Sequence, residues 1–104
     1  MVKMVVIYKT PADPAAFDRH YFETHVPLAK KLPGLRKYEV SQGPVAVPTI
    51  GRGIHFVATL HFDDLASIRA AFAAPEGHAC AADRRILAPN DADVQMLLFN
   101  DREV

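Results

Sequence analysis

Runs rich in apolar and β-branched residues mark four strands in this chain, and apolar residues at helical spacing mark two helical regions between them. Val2–Tyr8 (VKMVVIY) reads as the first strand. After a connection punctuated by Pro11, Asp13 is a natural N-cap, and Pro14 sits at the first helical position, where its missing N–H is harmless. Phe17, Tyr21, Thr24, Leu28 and Leu32 then recur on one side, with Arg19, Glu23 and Lys30 on the other, which predicts an amphipathic helix. Pro27 removes a hydrogen bond to the carbonyl of Glu23, so a kink or break is expected near His25–Val26. Pro33-Gly34 ends the helical region. Leu35–Gln42 (LRKYEVSQ) reads as the second strand, Gly43–Gly53 as a loop and Ile54–Phe62 (IHFVATLHF) as the third strand. Asp63 or Asp64 caps a second helix with Leu65, Ile68 and Phe72 on its apolar side. Pro75-Glu76-Gly77 breaks it, His78–Leu87 resumes as helix, and Asp93–Asn100 (DVQMLLFN) closes as the fourth strand.

The order βαββαβ predicts an α+β ferredoxin-like sandwich: a four-stranded antiparallel sheet with both helical regions on one face. Counting faces extends the prediction. The third strand offers Phe56, Ala58, Leu60 and Phe62 on one side, and His55, Val57, Thr59 and His61 on the other. The first and fourth strands divide in the same way, into one apolar face and one mixed face that is too apolar for bulk water. Helices cover one face only, and a monomer seldom leaves an apolar patch of several hundred Å² exposed. A homodimer packed sheet against sheet is therefore expected, with a lined cavity between the two sheets.

The chain has 104 residues, the size of one domain, and half of them are hydrophobic. Mean hydropathy is +0.02, and no apolar run approaches the roughly 20 residues of a membrane span. The N-terminus enters a strand pattern directly and shows no signal-peptide pattern. Twelve basic side chains balance twelve acidic ones, which argues against nucleic acid or anionic membranes as partners. The first and third strands also lack the basic-aromatic signature with which some βαββαβ domains bind RNA. Cys80 is the only cysteine, consistent with a reducing cytoplasm.

Among residues that carry chemistry, His25 stands out. At a helix end forced by Pro27 it would lie near free carbonyls and the negative end of the helix dipole, a setting that favours the protonated imidazole. The alternative is a histidine that stabilises the kink by donating to a neighbouring carbonyl. His55, Thr59 and His61 share the mixed face of the third strand and would be polar points in a cavity lined by that face. The two histidines are about 20 Å apart along the strand, too far for one metal. His20 and His25 diverge by roughly 140° on an α-helix and are also unsuited to chelation. Arg36 can pair with a carboxylate substrate or stand exposed. His78 and Cys80 read as packing or surface residues. No zinc spacing, phosphate loop or nucleophile elbow is present, so neither a metal nor a cofactor is expected.

The stretch VKMVVIYKTPADPAAFDRHYFETHVPLAKKLPGLRKYEVSQG resembles the start of an EthD domain, a family named from a protein linked to ethyl tert-butyl ether degradation. The likeness rests on the Tyr-Lys–Pro start, the Phe17–Tyr21–His25 helix, His25-Val26-Pro27-Leu28 and Leu32-Pro33-Gly34-Leu35-Arg36-Lys37-Tyr38. Ala73-Ala74-Pro75-Glu76-Gly77 and Ala81-Ala82-Asp83 continue it, and Arg84-Arg85-Ile86-Leu87 departs from the more polar and aromatic family pattern. The resemblance implies a dimeric α/β barrel. It implies that His25, in its H-x-P-L motif, and Tyr38 line the substrate pocket, where they are expected to be catalytic; His55, Thr59, His61 and Arg36 are expected as substrate contacts from the residues alone. Superfamily relatives include cofactor-free monooxygenases, muconolactone-type isomerases and haem-related enzymes. The expected function is acid/base chemistry on an apolar or aromatic catabolic intermediate, of isomerase or monooxygenase type. The alternatives are a non-catalytic accessory protein that holds such an intermediate, and a barrel that binds haem or another cofactor.

Overall fold

Four strands form one antiparallel sheet in the order β2-β3-β1-β4 in the computed structural model, which describes residues 1–49, 51 and 53–104. The strands are β1 (Val2–Lys9), β2 (Lys37–Val40), β3 (Ile54–Phe62) and β4 (Val94–Asn100). The helices are α1 (Pro14–His20), α2 (Val26–Ala29), α3 (Leu65–Ala73) and α4 (Pro75–Leu87). Val2 stands opposite Phe62 of β3 and Asn100 of β4, and Tyr8 opposite Phe56 and Val94. This is the expected ferredoxin-like α+β architecture. The second strand is shorter than Leu35–Gln42, and positions 50 and 52 of the expected loop lie outside the described residues.

Strand alternation sends Val2, Met4, Val6 and Tyr8, with Phe56, Ala58, Leu60 and Phe62, under the helices, where all are buried. Burial of each large side chain in that set contributes about 1.5–3 kcal/mol. The opposite face, carrying Val5, Ile7, Val57 and Thr59, has no helix over it. On β4 neither face is well covered: on the helix side Met96 is 50% and Leu98 52% exposed, and on the open side Leu97 is 41% and Phe99 44% exposed. No helix among the described residues is long and apolar enough to cross a membrane.

Asp13 caps α1, its Oδ1 accepting from the Ala16 N–H at 3.1 Å, with Pro14 opening the helix. The break expected at His25–Val26 does not occur. The chain widens into a π-helical turn over Tyr21–His25, in which the Val26 N–H donates to the Tyr21 carbonyl, and runs on into α2. Pro27 then falls in the first turn of α2, where no N–H is required. A register change replaces the kink.

Asp64 caps α3 by accepting from the Ser67 N–H at 2.8 Å. Ile68 and Ala71 form its buried side, and Leu65, expected there, is exposed. One extended residue, Ala74, separates α3 from α4, and Pro75 begins α4 instead of belonging to a three-residue break. The two helices touch at Gly77, where a Cβ would come within 2.1 Å of the Ala71 carbonyl oxygen. Only glycine fits that crossing.

Candidate functional site

Between the sheet and the helices lies a cavity of about 370 Å³. Tyr38 reaches it from β2 because it stands opposite Leu60 on the helix side of the sheet. Tyr21 and His25 enter from the π-helical turn, and Cys80 from α4. The Tyr21 and Tyr38 hydroxyls are hydrogen-bonded to each other at 2.5 Å. The Tyr21 ring rests on Phe56, with centroids 4.3 Å apart, and on the His25 imidazole at 4.9 Å. Behind His25 stands Asp83, a carboxylate only 5% exposed. The His25 Nδ1–H donates to Asp83 Oδ2 at 2.9 Å, and the His20 Nε2–H donates to Asp83 Oδ1 at 2.8 Å.

The convergence of the two histidines follows from the π turn. Residues five apart diverge on an α-helix, but i→i+5 hydrogen bonding puts close to one full turn between them. His20 and His25 thereby come to one side and share one carboxylate, contrary to the divergence expected for a regular helix. The carboxylate is buried because the inner stripe of α4 runs Gly77, Cys80, Asp83. Among the described residues no buried side-chain nitrogen or oxygen lacks a hydrogen-bond partner.

Asp83 sets the tautomer of His25. A carboxylate can only accept, so the proton sits on Nδ1 and the lone pair on Nε2. Nε2 points to the cavity side, 3.9 Å from Cys80 Sγ. Burial draws the His25 pKa below the ordinary 6.5, with the Asp83 hydrogen bond and charge opposing the shift. The sign is opposite to that expected from a helix end, since α2 continues past His25 and desolvation dominates. Burial pushes the Cys80 thiol up to about 11 and the Tyr38 hydroxyl up to about 12. Burial also raises Tyr21 and Tyr8 above the usual phenol range. Near neutral pH the cavity therefore presents a neutral imidazole, its Nε2 lone pair facing only the weak donor Cys80 Sγ–H, beside neutral hydroxyl donors.

Of the residues singled out from sequence, the structure brings together His25 and Tyr38. Thr59 and His61 lie on the other face of the sheet, and the cavity lies under the helices instead of between two sheets. His55 does not share their face: it falls at the β1–β3 register shift and packs its ring 5.4 Å from Phe17 of α1, outside the cavity. His55 Nε2 contacts Asp18 Oδ1 at 2.7 Å, while His61 Nε2 contacts Glu39 Oε1 at 2.8 Å. Arg36 is outside the cavity, its guanidinium donating to both Asp63 oxygens at 3.0 and 2.8 Å in an exposed pair. Sequence reasoning missed Asp83 and Tyr21 as site residues and took Cys80 for packing. The signal for Asp83 was its three-residue spacing from Cys80 on a helix with small inner residues; a charge on such a stripe requires partners.

Comparison with known proteins bears on this geometry. The sequence profile of the EthD domain matches residues 9–88. An uncharacterised 11.0 kDa protein of the thcB-thcC intergenic region of Rhodococcus erythropolis is 34% identical over 103 residues, 99% of this chain and 96% of that protein. The crystal structure of an ethyl tert-butyl ether degradation (EthD) family protein from Bacillus halodurans is 32% identical. It superposes with a TM-score of 0.87 over 98% of this chain and 99% of that one. SnoaB, a cofactor-independent oxygenase from Streptomyces nogalater, superposes with a TM-score of 0.67 over 99% and 94% of the two chains. At 21% identity that likeness is one of fold.

Proposed function

The chain belongs to the EthD family, and from that premise we propose that it is a small-molecule enzyme using cofactor-free acid–base chemistry in the cavity under its helices. His25 is the base. Its Nε2 takes a proton from a carbon next to a carbonyl, and the electron pair of that C–H bond moves onto the carbonyl oxygen as an enolate. Tyr38, its hydroxyl aligned by Tyr21, donates to that oxygen. Return of the proton to another carbon completes an isomerisation, and reaction of the enolate with dioxygen begins an oxygenation. The observation that carries this reading is the Asp83–His25 hydrogen bond, which puts the imidazole proton on Nδ1 and the Nε2 lone pair on the cavity side, while burial favours the neutral ring. A positioned base of this kind contributes about 10²–10⁴-fold in rate.

The test is solvent deuterium exchange into a panel of aryl-substituted cyclic monoketones and unsaturated lactones, which exchange slowly unaided, followed by proton NMR. His25→Gln is expected to lower exchange of any active compound by about 10²-fold or more. Unchanged exchange in that variant overturns the assignment. Binding of the panel with no exchange by the wild type points instead to an accessory protein that holds an intermediate.

Homodimerisation through the open sheet face belongs to the same proposal. Val5, Ile7, Val57, Leu97 and Phe99 lie side by side there by strand register. A second copy is the partner whose surface matches them by construction.

A further inference from the structure

The cavity runs across the sheet. Its floor takes Tyr38 from β2, Leu60 from β3, Val6 from β1 and Met96 and Leu98 from β4. It therefore spans four strands in the order β2-β3-β1-β4, about 14 Å at the usual spacing. Its two ends differ. Tyr38, with Tyr21 and His25, occupies the β2 side, whereas the β4 side is where Met96 and Leu98 are half exposed and the cavity opens.

Helix α4 belongs to the connection from β3 to β4 and so lies over β1, bordering that opening. Ala81 and Arg85 are four residues apart on one face of α4 and both line the cavity, as does Arg84. Arg85 is exposed and, among the described residues, has no carboxylate within ion-pair distance. Arg84 is mostly covered; it donates to the Ala88 carbonyl at 3.2 Å and reaches only the exposed carboxylate of Asp91, at 3.4 Å. Among the described residues no acidic side chain lines the cavity. Two guanidinium groups thus border the mouth of an otherwise apolar cleft, with donors left for an incoming anion.

We propose that the substrate is an elongated apolar carboxylic acid, its carboxylate held by Arg85 and Arg84 at the β4 mouth and its reacting carbon carried inward to His25. The proposal rests on the acid–base reading of His25 and adds the substrate class. Arg85 is the specificity determinant and Arg84 the second donor. The apolar middle of the ligand packs on Met4, Val6, Ile68 and Phe72.

The experiment compares 4-biphenylacetate, its methyl ester and benzoate as ligands. The chain has no tryptophan, so biphenyl fluorescence is read over tyrosine alone. Wild type is expected to bind the biphenyl acid at least about tenfold more tightly than the ester, a difference of about 1.4 kcal/mol. It should prefer the biphenyl acid to benzoate, which cannot span the cleft. Arg85→Glu is expected to abolish the preference for acid over ester, and Arg84→Gln to reduce it, with circular dichroism and ester binding reporting the fold of each variant. Equal binding of acid and ester by wild type, or an undiminished preference in Arg85→Glu, overturns the proposal. Deuterium exchange of an uncharged cyclic monoketone tests His25 separately. Exchange without acid preference removes this inference alone, and acid preference without exchange removes only the acid–base reading.

Discussion

Asp83 is the residue on which the site turns, because one buried carboxylate fixes two imidazoles and selects the tautomer of one of them. Asp83→Asn offers one acceptor and one donor where two acceptors are needed. It is expected to cost about 1–3 kcal/mol of stability, read as a lowered midpoint of chemical denaturation. It should also move the His25 proton to Nε2, visible in nitrogen-15 NMR, and suppress exchange while leaving ligand binding in place. A second prediction follows from the lowered pKa of His25, whose imidazole faces Asp83 and Cys80 from α4 with His20 and Arg84 nearby. Below 6.5 the unfolded chain takes up a proton that the buried ring resists. Stability should therefore fall as pH drops from about 6.5 toward the folded value, and the His25→Gln variant should lose that slope. An acid limb of exchange activity above pH 6.5 would contradict the assignment. His25 was legible because Pro27 marks it and the H-x-P-L resemblance names it. Asp83 was not, because a single acidic residue in a helix reads as surface until its partners on another helix are known.

Among the elements, the first helical region shows where local reasoning stops. Pro27 removes one backbone donor, and that loss can be absorbed by a kink or by a wider turn. The choice rests on tertiary packing: the π turn keeps Tyr21, His25 and Ala29 buried together, as a broken helix would not. No count of hydrogen bonds along the chain contains that information. The α3–α4 junction was more accessible, since Pro75 and Gly77 are both strong punctuation. Their roles nevertheless differ, Pro75 opening a helix and Gly77 permitting contact. Gly77→Ala, which ordinary helix propensity would favour, is expected to destabilise by about 1–3 kcal/mol through overlap with the Ala71 carbonyl and the Phe72 Cα. For a domain of this size the melting temperature should fall by roughly 4–8 °C per kcal/mol. A melting temperature at or above wild type would show that α3 and α4 move apart at little cost.

For the molecule as a whole, the two faces of the sheet are proposed for different roles, and they were not equally readable. Alternation in β1, β3 and β4 shows two faces rich in apolar residues, and one helical layer can cover only one of them. The position of the cavity could not be counted in that way, because a void depends on side-chain volume: Ala29, Ala58 and Ala81 line it, leaving unfilled space under the helices. Thr59 and His61 consequently face away from it and belong to the surface proposed to meet a second copy, whereas the register shift at the start of β3 turns His55 toward α1. That surface grades from polar to apolar along its rows: Glu39, Thr59, Val5 and Leu97 are neighbours in register, as are Lys37, His61, Lys3 and Phe99. Two copies related by a twofold axis can oppose the apolar halves at the centre and leave the charged rows at the rim, the usual arrangement of an interface. Val57 stands beside Ile7 on this face, so Val57→Asp puts a charge into the contact without touching the cavity side. Wild type is expected to sediment near 23 kDa, twice the 11.5 kDa chain, and Val57→Asp near one chain's mass with unchanged circular dichroism. A monomeric wild type at about 100 μM, well above the dissociation constant usual for a standard-size interface, sinks the dimer.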